Sequence, residues 1–365
     1  MIVARRPSLQ RGGRERSGRV RPARVTDLAA VGELSRQSHN TDPAQSGRTR
    51  TLGLPVGSSH ISVFSLFRLP LGAFMPNDLL YVYEEGGRIL GLARVEHDGF
   101  RDEWTIVELD AIDNGTAGDI RFRLVQQVLR DASKRGAARF HVSCSDVGGN
   151  VELFMQAGFA RYGEEHILYR APDADHGQAK AGFDAPERGI RPTTSLDAND
   201  LDRLYRRATP SPVARLEGYR LPDWERQGSH WRVPRSSMTP ILRFADVEGF
   251  VQEAPNGLAA FAQVGVAKEE QPHYLRIISL PDHDPTDLID YGLAVIAGRT
   301  HSSWTDRTRM HRQDRGVISV VRTYESPLDR LLEGRGFEAI ADVSLLMREL
   351  VQRVSEPALV PVASR

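Results

Sequence analysis

The sequence predicts a mixed α/β protein built from two similar modules in tandem, and three observations predict it. The chain has 365 residues, material for about two domains at roughly 150 residues each. VRPARVTDLAAVGELSRQ, starting at Val20, returns as IRPTTSLDANDLDRLYRR, starting at Ile190, an offset of 170. Residues 140–170 return as 318–348 at an offset of 178, with Gly158-Phe159 falling on Gly336-Phe337. Two pairings in the same order, at nearly equal offsets, point to an internal duplication.

Each half opens on a short strand, a capped turn and an amphipathic helix: Val20, Arg21, Pro22, Val31 and Leu34 land on Ile190, Arg191, Pro192, Leu201 and Leu204. Strand-like runs at 79–84 and 88–95 flank Glu85-Gly86-Gly87, a hairpin signal; 250–253 and 258–264 flank Ala254-Pro255-Asn256-Gly257 in the same way. A central strand follows each hairpin, WTIVELD from Trp104 and YLRIISL from Tyr274. Leu124, Val125, Val128, Leu129 and Ala132 then form the apolar face of a helix closed by Gly136. In the second half a helix starts with Ser326 as N-cap and Pro327 at its first position, carrying Leu328, Leu331 and Leu332 along one face. Residues 37–78 and 210–243 show no decisive period, although ISVFSLFRLPLGAFM at 61–75 is apolar enough to line a core or a cleft.

The segment 171–188 is small, polar and bracketed by prolines, and reads as a linker between an N-terminal domain at 20–170 and a C-terminal domain at 189–351. Residues 1–19 carry six arginines against Glu15, broken by Pro7 and Gly12-Gly13, and read as a disordered tail, as do 352–365. Forty-eight basic residues balance 48 acidic ones, so no global field holds a nucleic-acid backbone or an anionic membrane. No run approaches the ~18–20 apolar residues of a membrane span, and no apolar signal segment opens the chain. Cys144, the single cysteine, forbids an internal disulfide and fits a reducing compartment, so the expected location is the cytoplasm. Arginine outnumbers lysine heavily, as in a GC-rich bacterial genome.

This order of elements resembles the GNAT superfamily of acetyl-CoA-dependent N-acyltransferases. The stretches that carry the resemblance are GRILGLARV at 87–95, the helix ending in Ala132-Ser133-Lys134-Arg135-Gly136, and MQAGFARYGEEHILYR ending at Arg170. It implies two units, each a mostly antiparallel sheet flanked by helices, in which a central strand parts from its neighbour. Acyl-CoA would lie in that gap with its pyrophosphate at a helix N-terminus, where backbone amides meet the charge. The implied function is transfer of an acetyl or acyl group from acyl-CoA to the amine of a small molecule. A non-catalytic acyltransferase-like protein that binds a ligand or a partner stands as the alternative.

The small residues Asn114, Gly115, Thr116, Ala117 and Gly118 suit an anion nest, with Arg121 or Arg123 supplying charge; an ordinary helix start reads equally from them. The family signature for this loop, Gln/Arg-x-x-Gly-x-Gly/Ala, is replaced here by Thr116, Asp119 and Arg121. Glu108, on the central strand, stands where many members carry a glutamate base, and reads otherwise as a structural carboxylate; its counterpart is Ile278. Phe154 and Leu332 occupy the places of the family's tyrosine acid, leaving Cys144 or Ser145 as substitutes or as plain core residues. His301 and His311 lie ten apart and match no compact metal motif, so no metal is expected. Arg322 and Tyr324 follow a strand, and stacking or capping accounts for them as well as a ligand does.

Overall fold

The structure is a computed structural model and describes residues 18–39, 78–98, 101–112, 115–146, 148–172, 185–226, 234–240, 242, 244–267, 271–301, 315–325 and 327–350. The arginine-rich tail up to 17, Asn114, the apolar run 61–75, residues 173–184, His311, Ser326 and the tail from 352 lie outside them. The first half contains β1 (Arg19–Pro22), α1 (Leu28–His39), β2 (Asp78–Glu85), β3 (Arg88–Asp98), β4 (Glu103–Ala111), α2 (Ala117–Lys134), β5 (Arg139–Cys144), α3 (Asn150–Gln156) and β6 (Ala160–Arg170). The second contains β7 (Ile190–Pro192), α4 (Ala198–Ala208), α5 (Ser211–Glu217), α6 (Leu221–Glu225), β8 (Phe244–Ala254), β9 (Gly257–Ala267), β10 (His273–Ser279), α7 (Thr286–His301), β11 (Val317–Arg322), α8 (Pro327–Glu333) and β12 (Phe337–Glu349).

The duplication is visible atom by atom at the two module starts. Arg21 grips both carboxylate oxygens of Asp27 at 2.6 and 2.9 Å and reaches Glu84 at 2.7 Å. Arg191 grips Asp197 at 2.8 Å through both Nη atoms and reaches Glu253 at 2.7 Å. In each case the aspartate also accepts the backbone N–H three residues earlier, at 2.7 Å, closing a single 3-10 turn that leads into α1 or α4. The β2–β3 hairpin turns on Gly86 and Gly87, both at positive φ (58° and 81°), which a side chain resists.

All strands join one sheet in the order β1-β2-β3-β4-β5-β12-β6-β11-β10-β9-β8-β7. Read inward from either edge, the pairing is the same, and only β4–β5 and β10–β11 are parallel among the described pairs. The sequence repeat makes β6 and β12 the closing strands of their own halves. In the sheet, each closes the other: β12 pairs antiparallel with β5, and β6 pairs antiparallel with β11, while β6 and β12 run side by side in the middle. Apolar alternation specifies a strand and its faces but not which neighbour it takes, so two corresponding closing strands exchange without a change in pattern.

One face of the sheet is covered by α2 in the first half, through Ile120, Leu124, Val125, Val128, Leu129 and Ala132, all buried against Trp104, Ile106, Phe140 and Val142. Gly91 lets that helix approach, since a Cβ there would stand 2.6 Å from Ile120 Cγ2. In the second half α7 supplies Leu288, Ile289 and Ile296 against Leu275, Ile277, Val317 and Val321. The first core continues into the second half through Met238, Tyr274, Ile318 and Leu346, so burial crosses the repeat boundary. On β9, β10 and the turns around them a further cluster joins α4 and α6 to Val251, Phe261 and Ile278.

Candidate functional site

The parallel pair β4–β5 begins in register at Glu103/Arg139 and stops at Ile106/Val142. β4 runs on to Ala111, wholly buried, while β5 ends at Cys144, so the two strands part and leave a wedge between their C-terminal ends. In the second half β10–β11 pairing starts at His273/Val317, the same positions shifted by 170 and 178, and stops at Leu275/Ser319, one residue earlier than in the first half. Backbone donors and acceptors in such a gap lack a sheet partner, which makes it a natural place for an extended polar ligand.

α2 begins just beyond the first wedge. Its N-cap, Thr116, makes no side-chain capping bond, Gly115 sits at φ +80°, and a Cβ added at Gly115 or Gly118 would meet nothing within 4 Å. The 18-residue helix presents its positive end at the mouth of the gap. Asp119, in the first turn, is ion-paired with Arg123 at 2.8 Å, both side chains half exposed. Arg121 points inward: it is 7% exposed and its Nη1 donates to Asn150 Oδ1 at 2.9 Å. Asn150 in turn donates to the Ser145 carbonyl at 3.5 Å. Arg121 thus ties α2 to the loop that follows β5, bracing the two walls of the wedge.

Glu108 lies on β4 directly across from Arg94 on β3, and the carboxylate is 3.4 Å from the guanidinium Nε. Its side chain is 2% exposed and that of Arg94 22%, so the charge is buried but has its counterion. Cys144 is fully buried, and burial pushes its thiol up to about 12. Ser145 is buried next to it, with no hydrogen-bond partner for Oγ among the described residues. Phe154 is fully buried in the first core.

No family model matches the sequence, and no curated protein does. Solved structures do match the whole architecture. A tandem GNAT protein from the clavulanic acid biosynthesis pathway is 14% identical, with a TM-score of 0.55 over 93% of this chain and 100% of that one. A GCN5-related N-acetyltransferase from Sphaerobacter thermophilus is 13% identical, with a TM-score of 0.54 over 92% of this chain and 97% of that one. The chain has the tandem GNAT fold.

The two units differ at their wedges. In the second, Asp284 folds its own carboxylate onto the start of α7, accepting the Thr286 N–H at 3.0 Å and the Thr286 hydroxyl at 2.6 Å. Those bonds hold Asp284 below the usual carboxylate range. The start of α7 is thus met by a built-in anion. Buried Arg276 of β10 also reaches across to Glu325, in the turn after β11, at 2.8 Å. Arg322 is locked beside it, bridging Glu165 of β6 at 2.8 Å and Glu217 of α5 at 2.6 Å. Ile278 and Leu332 are buried in apolar surroundings.

Sequence reasoning missed Arg94, Asn150, Asp284 and this central network. A signal existed for Arg121: it falls three, four and seven residues before Leu124, Val125 and Val128, on the buried face of α2. Tyr324, on the same turn as Glu325, is half buried, and burial raises its phenol well above the ordinary range. Among the described residues no group of three His, Cys, Asp or Glu is placed to hold a metal ion, and no helix is long and apolar enough to cross a membrane.

Proposed function

We propose that the first GNAT unit transfers an acetyl or acyl group from acyl-CoA to the amine of a small molecule, and that the second unit serves as its structural complement. The observation that supports this most is the parting of β4 and β5 just ahead of the start of α2, whose N-cap Thr116 makes no capping bond with its own side chain. In this reading Gly115, Thr116, Ala117 and Gly118, with Asn114 before them, hold the pyrophosphate through backbone N–H groups. Arg123 lends positive charge from the next turn, and Arg121 acts from behind as the brace that keeps the wedge open. The bound acyl-CoA supplies a thioester. Glu108 takes the proton that the amine nitrogen loses as the new N–C bond forms and the C–S bond breaks, with Arg94 as its counterion. The departing sulfur takes a proton from Cys144, Ser145 or water, since Phe154 has none to give. We place the protein in the bacterial cytoplasm, a reading that its lone, buried and reduced Cys144 and its arginine-rich composition support.

A second reading, ligand binding without catalysis, draws on the inward turn of Arg121 and on Phe154. One experiment separates the two. Calorimetry of the full chain with acetyl-CoA, followed by thiol release on a panel of small amines, should show saturable binding and turnover. Glu108→Gln should lower turnover about 100-fold and leave acetyl-CoA affinity unchanged. Binding with no turnover on any amine favours the second reading, and equal turnover in the variant removes Glu108 from the chemistry.

A further inference from the structure

A cavity of about 480 Å³ opens in the second half, away from the proposed acyl-transfer wedge, where the β8–β9 hairpin meets the end of α4 and the loop between β10 and α7. This is within the size range of small-molecule sites, ~300–1,000 Å³. Its inner surface is apolar, with buried Leu258 and Ala259 beside half-buried Leu280. Its sides are rigid: Pro255 stands in the hairpin turn, and Pro281 in a turn closed by the His283 N–H on the Leu280 carbonyl at 3.1 Å. His283 is itself held, its Nε2 2.9 Å from Gln252 Oε1.

Two opposite charges border this space. Arg207, in the last turn of α4, and Asp282, in the loop, both line the cavity and both are exposed. No ion pair or side-chain hydrogen bond engages either one among the described residues, and they do not pair with each other. Two opposite charges that face one cavity, neither taken up by a side-chain partner among the described residues, are available to a ligand. The first half does not repeat it: Gln37 and Ile112 stand at the positions that correspond to Arg207 and Asp282, and Gly86-Gly87 replaces Pro255-Asn256. The fold therefore does not require these groups.

We propose that this cavity binds a free α-amino acid or short peptide, a small zwitterion whose carboxylate meets Arg207, whose ammonium meets Asp282, and whose side chain lies on Leu258 and Leu280. A guanidinium presents paired N–H donors that match a carboxylate, and Asn256 at the turn offers a further amide. The site is independent of acyl transfer, and the experiment does not use activity.

The test is calorimetry on the full chain with L-leucine, L-leucinamide, N-acetyl-L-leucine and the dipeptide Ala-Leu. Saturable binding of leucine or Ala-Leu, at least about tenfold weaker for the amide and the N-acetyl compound, is the expected result; the two zwitterions tell a free amino acid from a peptide. Arg207→Ala and Asp282→Ala should each weaken it about tenfold with the melting temperature unchanged, because both side chains are exposed and unpaired. Absence of binding by either zwitterion at 50 mM-scale concentrations, roughly the limit of a useful site at Kd ~10 mM, overturns the proposal. So does equal binding of the amide or the N-acetyl compound, or indifference to both substitutions.

Discussion

Asp197 shows how much a single side chain does at a module start. It accepts both Nη atoms of Arg191, the Thr194 N–H and the Thr194 hydroxyl, and these bonds, that to Arg191 foremost, hold its carboxyl down at about 2. A carboxyl lowered by folding stabilises the native state above its unfolded value of about 3.9, and that contribution is lost as pH falls towards the folded value. Thermal melts should therefore decline between pH ~4 and ~2, more shallowly in Asp197→Asn, and Asp197→Ala should cost about 1 to 2 kcal/mol at neutral pH as a lost cap. A melting curve for the Asn variant that keeps the full acid slope would contradict this. The pair Arg191/Asp197 and its copy Arg21/Asp27 were legible in the sequence only as a repeat, since spacing shows recurrence and not contact. Glu108 was legible by position alone: Arg94 lies fourteen residues away in sequence, and only the β3–β4 register brings them together.

At the scale of elements, α2 and α7 occupy the same place in two copies and differ in what stands at their first turn. Gly118→Asp places a carboxylate in the first turn of α2, where nothing stands within 4 Å of an added Cβ. An acid there suits the helix dipole, so the melting temperature should hold or rise while acetyl-CoA affinity falls about tenfold or more through repulsion of the pyrophosphate. Calorimetry and a melt on the same sample decide it; unchanged affinity would move the pyrophosphate elsewhere. The hairpins and both central strands were readable because glycine turns and unbroken apolar runs leave strong local marks. Short α8 was read with the help of the Pro327 start signal, but α5 and α6, of seven and five residues, were not readable, because helices under two turns show little period. Their register comes instead from tertiary contact: Tyr205, Tyr219 and Trp224 pack with ring centroids 5.1 to 5.9 Å apart, over buried Glu217.

For the molecule as a whole, the sequence carried the duplication and the family resemblance implied the wedges, while the exchange of closing strands, which no local pattern encodes, was in neither. The exchange makes the two halves one cooperative body. β12 is the sole link between β5 and β6 among the described strands, so truncation after Gly336 should leave β5 with β4 alone and β6 with β11 alone. The shortened chain should lose the folded signature of the first half, seen in near-ultraviolet dichroism, even though the cut lies in the second. The intact chain should melt in one calorimetric transition, and two separable transitions would refute the coupling. The order of synthesis adds a constraint of its own. β5 is complete at Cys144, and β12 starts only at Phe337. At ~5–20 residues per second a ribosome needs ~10–40 s to cover that interval. Throughout it the nascent chain displays an open strand border that its own next hundred residues do not cover. That border closes only when β12 emerges, and until then it is exposed to pairing with other chains.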